Sequence, residues 1–254
     1  FILVGRVSCV YEKDLLTVLC FGFAKMLPGF ILRCHLLGHM SKIETAKFMI
    51  FTQVSLFILA AIIIILINLK VKNPTTLEAG KKEPKRYIIP WALLGFCLVM
   101  VYQVIISLIY FTIMGSQQTS PNTERIIAIA KKMPIFIILI SIVGPILEEF
   151  VFRKVFFGEL YNAIKGNRIV SFLIASIVSS LVFALAHNDI KFIPMYFGMG
   201  MIFSLAYVYT KRIAVPIGIH MLQNGTVVLM QLFGADAIKK ANEHANFILQ
   251  LILN

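Results

Sequence analysis

The sequence predicts an all-α, polytopic integral membrane helical bundle with about six to eight transmembrane helices. Of its 254 residues, 59% are hydrophobic and only 14% are charged, and the mean hydropathy is +0.88. Soluble domains average about 45–50% apolar and about 25% charged residues. A spanning segment must satisfy its own backbone hydrogen bonds, and the short alternating segments of a β-barrel are absent. Helices are therefore the expected spanning elements.

Long apolar runs separated by polar loops define the predicted spans. Six strong runs cover residues 48–69, 87–114, 134–160, 169–187, 191–210 and 213–233. A weaker run at 15–37 is interrupted by Lys25, Pro28 and Arg33. The apolar tail 246–254 is too short to cross a bilayer alone.

A different pattern at residues 119–133 predicts a short helix lying at the membrane surface. Ser120 can cap this helix, and Pro121 suits its first position. Several isoleucines give it one apolar face, which is typical of interfacial helices. A solvated loop helix is the alternative.

The net charge of +12 bears on partners and orientation. The lysines gather between the apolar runs, so we expect lipid headgroups of the bilayer, and no nucleic acid, as the partner of this charge. The basic loop 70–86 is predicted to face the cytoplasm, together with loop 161–168 and Lys211–Arg212.

Two adjacent glutamates, Glu148 and Glu149, and an arginine, Arg153, lie inside the apolar stretch GPILEEFVFRKVFF, residues 144–157. Glu149 and Arg153 have the i, i+4 spacing, acid first, that favours a helical ion pair. Successive helical residues point about 100° apart, so Glu148 is left to face something else and to act as a general base. For this motif alone, a structural salt bridge is the alternative to a functional site.

Gly144 and Pro145 precede the glutamates and predict an interruption of the helix. One hypothesis is that a helix ends near residue 143 and a new one begins at Pro145, which would place both carboxylates near a helix N-terminus. A simple proline kink is the alternative.

Two further polar sites follow in later spans. Phe183 and His187 share one helix face, and so do His220 and Asn224, because each pair is spaced i, i+4. Polar side chains in lipid must find partners, and the natural partners are each other and the glutamates.

The three patterns EExxxR ("EEFVFR", 148–153), FxxxH ("FALAH", 183–187) and HxxxN ("HMLQN", 220–224) occur in that order on successive spans. This combination resembles the CPBP family of CAAX-processing and bacteriocin-processing intramembrane proteases, also called the Abi family. The resemblance covers residues 120–233 and implies a helical membrane fold with a conical cavity open to lipid and cytoplasm.

The resemblance also implies roles for individual residues. Glu148 and His187 would activate a water molecule that attacks a peptide carbonyl, and His220 and Asn224 would stabilise the resulting oxyanion. It further implies a glutamate-type hydrolase with no obligatory catalytic metal. The alternative is zinc held by Glu148, His187 and His220, although the HExxH zinc motif is absent.

In the same family reading, Glu149 and Arg153 would hold the site in shape, and Phe183 would pack beside His187. The chain then divides into four parts: an N-terminal segment 1–47 with at most one weak span, two transmembrane helices joined by a basic loop at 48–118, a CPBP-like catalytic core at 119–233, and a C-terminal segment 234–254.

The function that follows is an intramembrane endopeptidase of a bacterial cytoplasmic membrane. Its expected substrates are small membrane-associated peptides or lipidated proteins, with pheromone or bacteriocin processing and self-immunity as the expected roles. A non-catalytic scaffold that regulates another membrane protein is the main alternative. A transporter is the third, which the lack of an internal repeat disfavours.

Overall fold

The computed structural model describes residues 2–34, 40–70, 76–115 and 119–253. Side chains at 2–11, 76, 78 and 235–253 are outside that description. Parts of the predicted segments 1–47, 70–86 and 234–254 therefore lie beyond the described residues. Within the described ranges, every regular element is helical.

The α-helices are α1 (Ile2–Arg33), α2 (Lys42–Lys70), α3 (Thr76–Ala79), α4 (Ile88–Met114), α5 (Pro121–Lys132), α6 (Ile135–Ile138), α7 (Gly144–Glu149), α8 (Gly158–Ala163), α9 (Arg168–Leu185), α10 (Ile193–Thr210) and α11 (Ala214–Leu253). Two π-helical stretches, Leu139–Val143 and Phe150–Phe157, join α6, α7 and α8 into one continuous rod. Short 3₁₀ turns at Lys85–Tyr87 and Ile190–Phe192 precede α4 and α10.

Six segments of the described chain are long and apolar enough to cross a membrane. They are Glu12–Arg33, Lys42–Lys70, Lys85–Met114, Ile135–Ala163, Arg168–Leu185 and Ile190–Thr210. The predicted polytopic helical fold is thus confirmed, and the weak N-terminal run supplies one of the six. The predicted span 213–233 forms the first half of α11. It is not among the six, and it buries the polar residues His220 and Gln223 within the bundle.

Helix α9 shows how the sequence sorts its residues between lipid and protein. Large side chains such as Leu173 and Ile177 point outward and are exposed. Small residues face inward, and Ser180 meets Gly200 of α10 so closely that a Cβ on that glycine would lie 2.8 Å from the serine side chain. Small residues at such contacts let membrane helices approach each other closely.

The rod from α6 to α8 differs from the helix break that we hypothesised before Pro145. The backbone of Val143 and Gly144 stays helical, and the Gly144 N–H donates to the Leu139 carbonyl five residues earlier. Because proline lacks an N–H and crowds the carbonyl four residues before it, a wider π turn accommodates it without ending the helix. The glutamates therefore do not lie at a helix N-terminus.

The loops fall into two groups at opposite ends of α10. At one end the Glu83 N–H donates to the Thr210 carbonyl at 3.1 Å, and Arg212 Nε donates to the Glu83 carbonyl. At the other end Ser120 Oγ donates to Asp189 Oδ2 at 2.6 Å. The predicted grouping of loop 70–86 with Lys211–Arg212 agrees with the first set of contacts.

Helix α5 lies at the second end and matches the predicted short helix. Ser120 caps it by accepting the Thr123 N–H at 3.2 Å, and Pro121 occupies its first turn. Ile127 and Ala130 are buried on its apolar face. This helix forms one wall of the cavity described next.

Candidate active site

A cavity of about 610 Å³ lies among α1, α4, α5, α11 and the rod, toward the end of the bundle that carries α5. Three of the six predicted site residues line it: Glu148, His187 and Asn224. We call these three the cavity-facing group. The other three, Glu149, Arg153 and His220, form a buried ionic cluster behind the wall.

Short polar contacts hold the buried ionic cluster together, and the side chains of Glu149 and Arg153 are both 0% exposed. Glu149 Oε2 lies 3.1 Å from Arg153 Nε, and Glu149 Oε1 accepts a hydrogen bond from His220 Nδ1 at 2.9 Å. The i, i+4 ion pair predicted from spacing is confirmed. His220 joins it from α11, 71 positions further along the chain.

Aromatic rings enclose the cluster on its remaining sides. The Arg153 guanidinium lies 4.2 Å from the centre of the Phe183 ring and 4.9 Å from that of Phe203. The His220 ring stacks on Phe203 at 5.1 Å. Ring faces attract cations, and this attraction is stronger when water is absent. The cluster is therefore a desolvated and compensated unit.

Glu148 is rotated away from the buried ionic cluster, as the helical offset between neighbours predicts. Its side chain is 21% exposed, whereas that of Glu149 is 0% exposed. Glu148 Oε2 lies 3.8 Å from His220 Nε2, which is too long for a direct hydrogen bond. The carboxylate thus faces the cavity and keeps its capacity to bind water or substrate.

His187 lies in the turn just beyond α9, outside the spanning segments. Its Nδ1 is 2.8 Å from the Phe183 carbonyl, and a carbonyl only accepts, so Nδ1 carries the proton and Nε2 is left as a base. Its ring stacks on Tyr196 at 4.1 Å. Burial lowers the pKa of the imidazole because desolvation penalises the cation, although Glu148 opposes this effect.

Asn224 is oriented by a hydrogen bond to a backbone carbonyl that Pro145 leaves without its usual N–H donor. In the π stretch the Ile140 carbonyl would pair with the N–H of residue 145, but proline has none. Asn224 Nδ2 donates to this carbonyl at 3.0 Å. One amide proton of Asn224 is used in this way, and the second remains available on a residue that lines the cavity.

Sequence reasoning missed three residues near this group. Gln103 and Gln223 line the cavity and are hydrogen-bonded to each other at 2.6 Å. Lys25, which we treated as an interruption of a weak span, donates to the Ala186 carbonyl at 2.8 Å beside His187. The sequence feature that could have identified Gln103 is its position as a polar side chain within a strong span. Polar side chains in such positions have a functional or a packing role in membrane proteins.

The cavity position bears on the predicted orientation. The resemblance implies that the cavity opens to the cytoplasm, and the loop charges predict that loop 70–86 also faces the cytoplasm. In the structure, the cavity lies toward the opposite end of the bundle from loop 70–86, so the two expectations disagree.

The zinc alternative gains no support from the ligand geometry. Within the described part of the chain, no group of three or more His, Cys, Asp or Glu is placed to hold a metal ion. In the alternative set of Glu148, His187 and His220, Nδ1 of His220 donates to Glu149, so Nε2 is the only ring nitrogen of His220 left for a metal.

Comparison with known proteins agrees with the motifs. The sequence model of Rce1-like type II CAAX prenyl endopeptidases matches residues 130–226, which contain all three motifs. The membrane-embedded CAAX protease MroQ of Staphylococcus aureus (strain USA300) is 62% identical over 240 residues, which cover 94% of this chain and 97% of that protein.

A second bacterial relative, the putative membrane peptidase YdiL of Bacillus subtilis (strain 168), is 37% identical over 195 residues, or 77% of this chain and 76% of that protein. No solved structure matches the chain. With six membrane-crossing segments and these relatives, the protein is an integral membrane protease. The chain belongs to the CPBP family of membrane-embedded CAAX proteases.

Proposed function

We propose that this protease cleaves a peptide bond in a small membrane-associated peptide or a lipidated protein by attack of a water molecule that Glu148 and His187 activate. The observation that carries the proposal is that these two side chains, from different helices, line one cavity. Each retains an acceptor: the Glu148 carboxylate, and Nε2 of His187, which is freed by the contact of Nδ1 with the Phe183 carbonyl.

The proposed reaction is a balanced hydrolysis. Glu148 takes a proton from water, and the hydroxide oxygen bonds to the scissile carbonyl carbon. The carbonyl oxygen becomes an oxyanion, which receives the spare N–H of Asn224. The C–N bond then breaks, and the proton held by Glu148 passes to the leaving amine. His187 Nε2 orients the water before attack.

His220 contributes from behind the cavity wall in this proposal. Its side chain is almost fully buried, and Nδ1 donates to Glu149, so Nε2 is the atom directed toward Glu148. In this proposal the His220 ring helps to stabilise the oxyanion formed beside Glu148, because polar groups placed in advance in a water-poor site stabilise a transition state strongly.

The proposed chemistry requires no metal, and zinc remains the alternative. The support is the ligand geometry, since the described residues offer no trio of metal-binding side chains. Incubation with 1,10-phenanthroline is expected to leave activity unchanged in the purified protein. Loss of activity that added zinc restores would favour the alternative.

The proposed substrates are bacterial because both named relatives are bacterial proteins. Peptide pheromone or bacteriocin precursors, with a role in self-immunity, fit a cavity whose lining combines the polar groups above with aromatic side chains such as Phe57 and Phe136. Apolar walls suit a substrate that arrives from the bilayer.

The test compares wild type with Glu148→Ala and His187→Ala in cells that express candidate peptide precursors, with mass spectrometry of the released peptides. Glu83→Ala is the matched control, because Glu83 makes its contacts to Thr210 and Arg212 through backbone atoms. A product that disappears in both site variants and persists in the control supports the protease. Unchanged peptide profiles with a persistent phenotype would favour the scaffold.

A further inference from the structure

Two glutamines from different helices form a hydrogen-bonded pair on the cavity wall. Gln223 Nε2 of α11 donates to Gln103 Oε1 of α4 at 2.6 Å, and Gln103 Nε2 lies 3.2 Å from Met199 Sδ. Both glutamines line the same cavity as Glu148. Neither occupies a fixed position of the three sequence motifs.

The chemistry of Met199 fixes the orientation of both amides. A thioether sulfur can only accept, so the NH₂ group of Gln103 faces Met199 and its oxygen faces Gln223. That oxygen then requires a donor, so the NH₂ group of Gln223 points at it. The remaining atom, Gln223 Oε1, is buried and has no hydrogen-bond partner among the described residues.

A buried acceptor without a partner is unusual and calls for an explanation. The Gln223 side chain is 1% exposed, whereas Gln103 is half-buried at the cavity surface. Gln223 lines the cavity, so a donor on an occupant of the cavity can supply the partner that Oε1 lacks. Gln103 also keeps one N–H beyond the one directed at Met199. The pair therefore offers one acceptor and one donor to an occupant.

One donor and one acceptor side by side complement a peptide unit, which carries one N–H and one carbonyl. We propose that Gln103 and Gln223 bind the main chain of the substrate next to the scissile bond and so position that bond against Glu148. Gln223 Oε1 accepts a main-chain N–H, and the spare N–H of Gln103 donates to a main-chain carbonyl. This inference rests on the proposed function, because the occupant is the peptide substrate.

Recognition through main-chain atoms has a chemical signature that a purely structural pair lacks. The site reads the peptide N–H and is indifferent to the side chain attached to it. N-methylation of the peptide bond that donates to Gln223 removes this N–H. The methylated peptide should therefore bind worse to wild type, and equally well once the glutamine is gone.

The probe is an internally quenched peptide that ends in a farnesylated Cys-aliphatic-aliphatic-X sequence, presented in proteoliposomes. A matched series carries a single N-methyl group on successive peptide bonds around the cleavage point. The protein variants are Gln103→Met and Gln223→Met, which keep side-chain length and remove the amide. The control is Gln53→Met, since Gln53 on α2 donates to the Ala24 carbonyl at 2.9 Å and does not line the cavity.

The expected result is a rise in KM of at least about tenfold for one N-methylated probe with wild type, with kcat little changed. Gln223→Met should raise KM for the unmodified probe by a similar factor and then no longer distinguish the two probes. Gln53→Met should behave as wild type. If Gln223→Met raises the thermal stability and leaves KM and the N-methyl effect unchanged, the pair is only structural and the proposal is wrong.

A binding measurement separates this proposal from the proposed function. Glu148→Ala removes the general base and leaves both glutamines, so Kd for each probe can be measured without turnover. If wild type cleaves nothing while Glu148→Ala binds the unmodified probe tighter than an N-methylated one, the subsite stands and the catalytic proposal fails. Equal Kd values, or no binding of either probe, would overturn the subsite.

Discussion

Glu148 and Glu149 are neighbours in the chain, but they belong to two chemically different regions of the site. Glu149 lies in the buried ionic cluster, where Arg153 and His220 each contact one of its oxygens and its side chain is 0% exposed. Glu148 lies in the cavity-facing group, partly exposed, with His220 Nε2 at 3.8 Å. A rotation of about 100° between successive helical residues separates them.

The comparison shows how one helix can present a buried ion pair on one side and a partly exposed carboxylate on the other. A buried charge is tolerated only when a partner compensates it, and in the buried ionic cluster Glu149 lies between Arg153 and His220 while aromatic rings cover the Arg153 guanidinium. Two members of the cavity-facing group are instead anchored by one atom each, since Nδ1 of His187 and Nδ2 of Asn224 donate to backbone carbonyls. The remaining atoms of those side chains stay available for substrate.

The largest expected effect on activity comes from the cavity-facing carboxylate. Glu148→Gln keeps the shape of the side chain and removes the proposed general base, so peptide release should fall by about 10²–10⁴-fold. Thermal unfolding in detergent should stay close to wild type, because Glu148 is not part of the buried ionic cluster. A variant that fails to fold would show that the two regions are not separable.

The largest expected effect on stability comes from the neighbouring position. Glu149→Ala leaves Arg153 as an unpaired buried charge, which costs about 3–5 kcal/mol, and should lower both the unfolding temperature and the yield of folded protein. The double variant Glu149→Met/Arg153→Met removes both charges and should recover part of that loss. A double variant less stable than Glu149→Ala would contradict the compensated-pair description.

The sequence predicted the parts of this comparison that depend on local spacing. The i, i+4 ion pair of Glu149 and Arg153, the outward rotation of Glu148 and the Ser120 cap of α5 all follow from positions within one helix. The contact of His220 with Glu149 joins residues 71 positions apart, and no helical period encodes it.

The π turn before Pro145 could not be predicted from the sequence either. A helix break, a kink and a π turn all accommodate a residue without an N–H, so the proline alone does not distinguish them. Its consequence reaches the cavity, since it leaves the Ile140 carbonyl to accept a hydrogen bond from Asn224. Gln103, by contrast, was visible in the sequence as a polar residue within a span, and its importance emerges only from the partner that α11 brings to it.

A smaller effect on activity is expected from the amide in the cavity-facing group. Asn224→Leu removes the proposed oxyanion donor and should lower kcat by about 10²–10³-fold. It also leaves the Ile140 carbonyl without its donor, at a cost of about 1–3 kcal/mol in the free energy of unfolding.

The matched control for that prediction is Asn68→Leu on α2. Asn68 Nδ2 also donates to a backbone carbonyl, that of Ile64 at 2.8 Å, away from the cavity. This variant should keep wild-type kcat. Similar kcat values for the two variants would remove Asn224 from the proposed mechanism.

The smallest expected effect tests how the cavity-facing group is supported from outside the rod. Ser120 caps α5, donates to Asp189 and lies 3.2 Å from the Tyr196 hydroxyl, and the Tyr196 ring stacks on His187. Ser120→Ala should cost about 1 kcal/mol in the free energy of unfolding, as the loss of a helix cap does. It should also lower kcat by less than about tenfold, because Tyr196 loses one contact that fixes the His187 ring.

Ser41→Ala is the control that separates capping from support of the site. Ser41 accepts the Glu44 N–H at the start of α2, at a place that does not line the cavity. Each variant loses a helix cap, and Ser120→Ala also loses the contacts with Asp189 and Tyr196, so it should lose at least as much stability as Ser41→Ala; only Ser120→Ala should lose activity. Equal activities would show that the cavity-facing group is held by the rod and α9 alone. Glu148→Gln acts on the proposed base, Ser120→Ala on the contacts that support His187 from outside the rod, and Glu149→Ala on the buried ionic cluster. The ratio of activity loss to stability loss should therefore be largest for Glu148→Gln, intermediate for Ser120→Ala and smallest for Glu149→Ala.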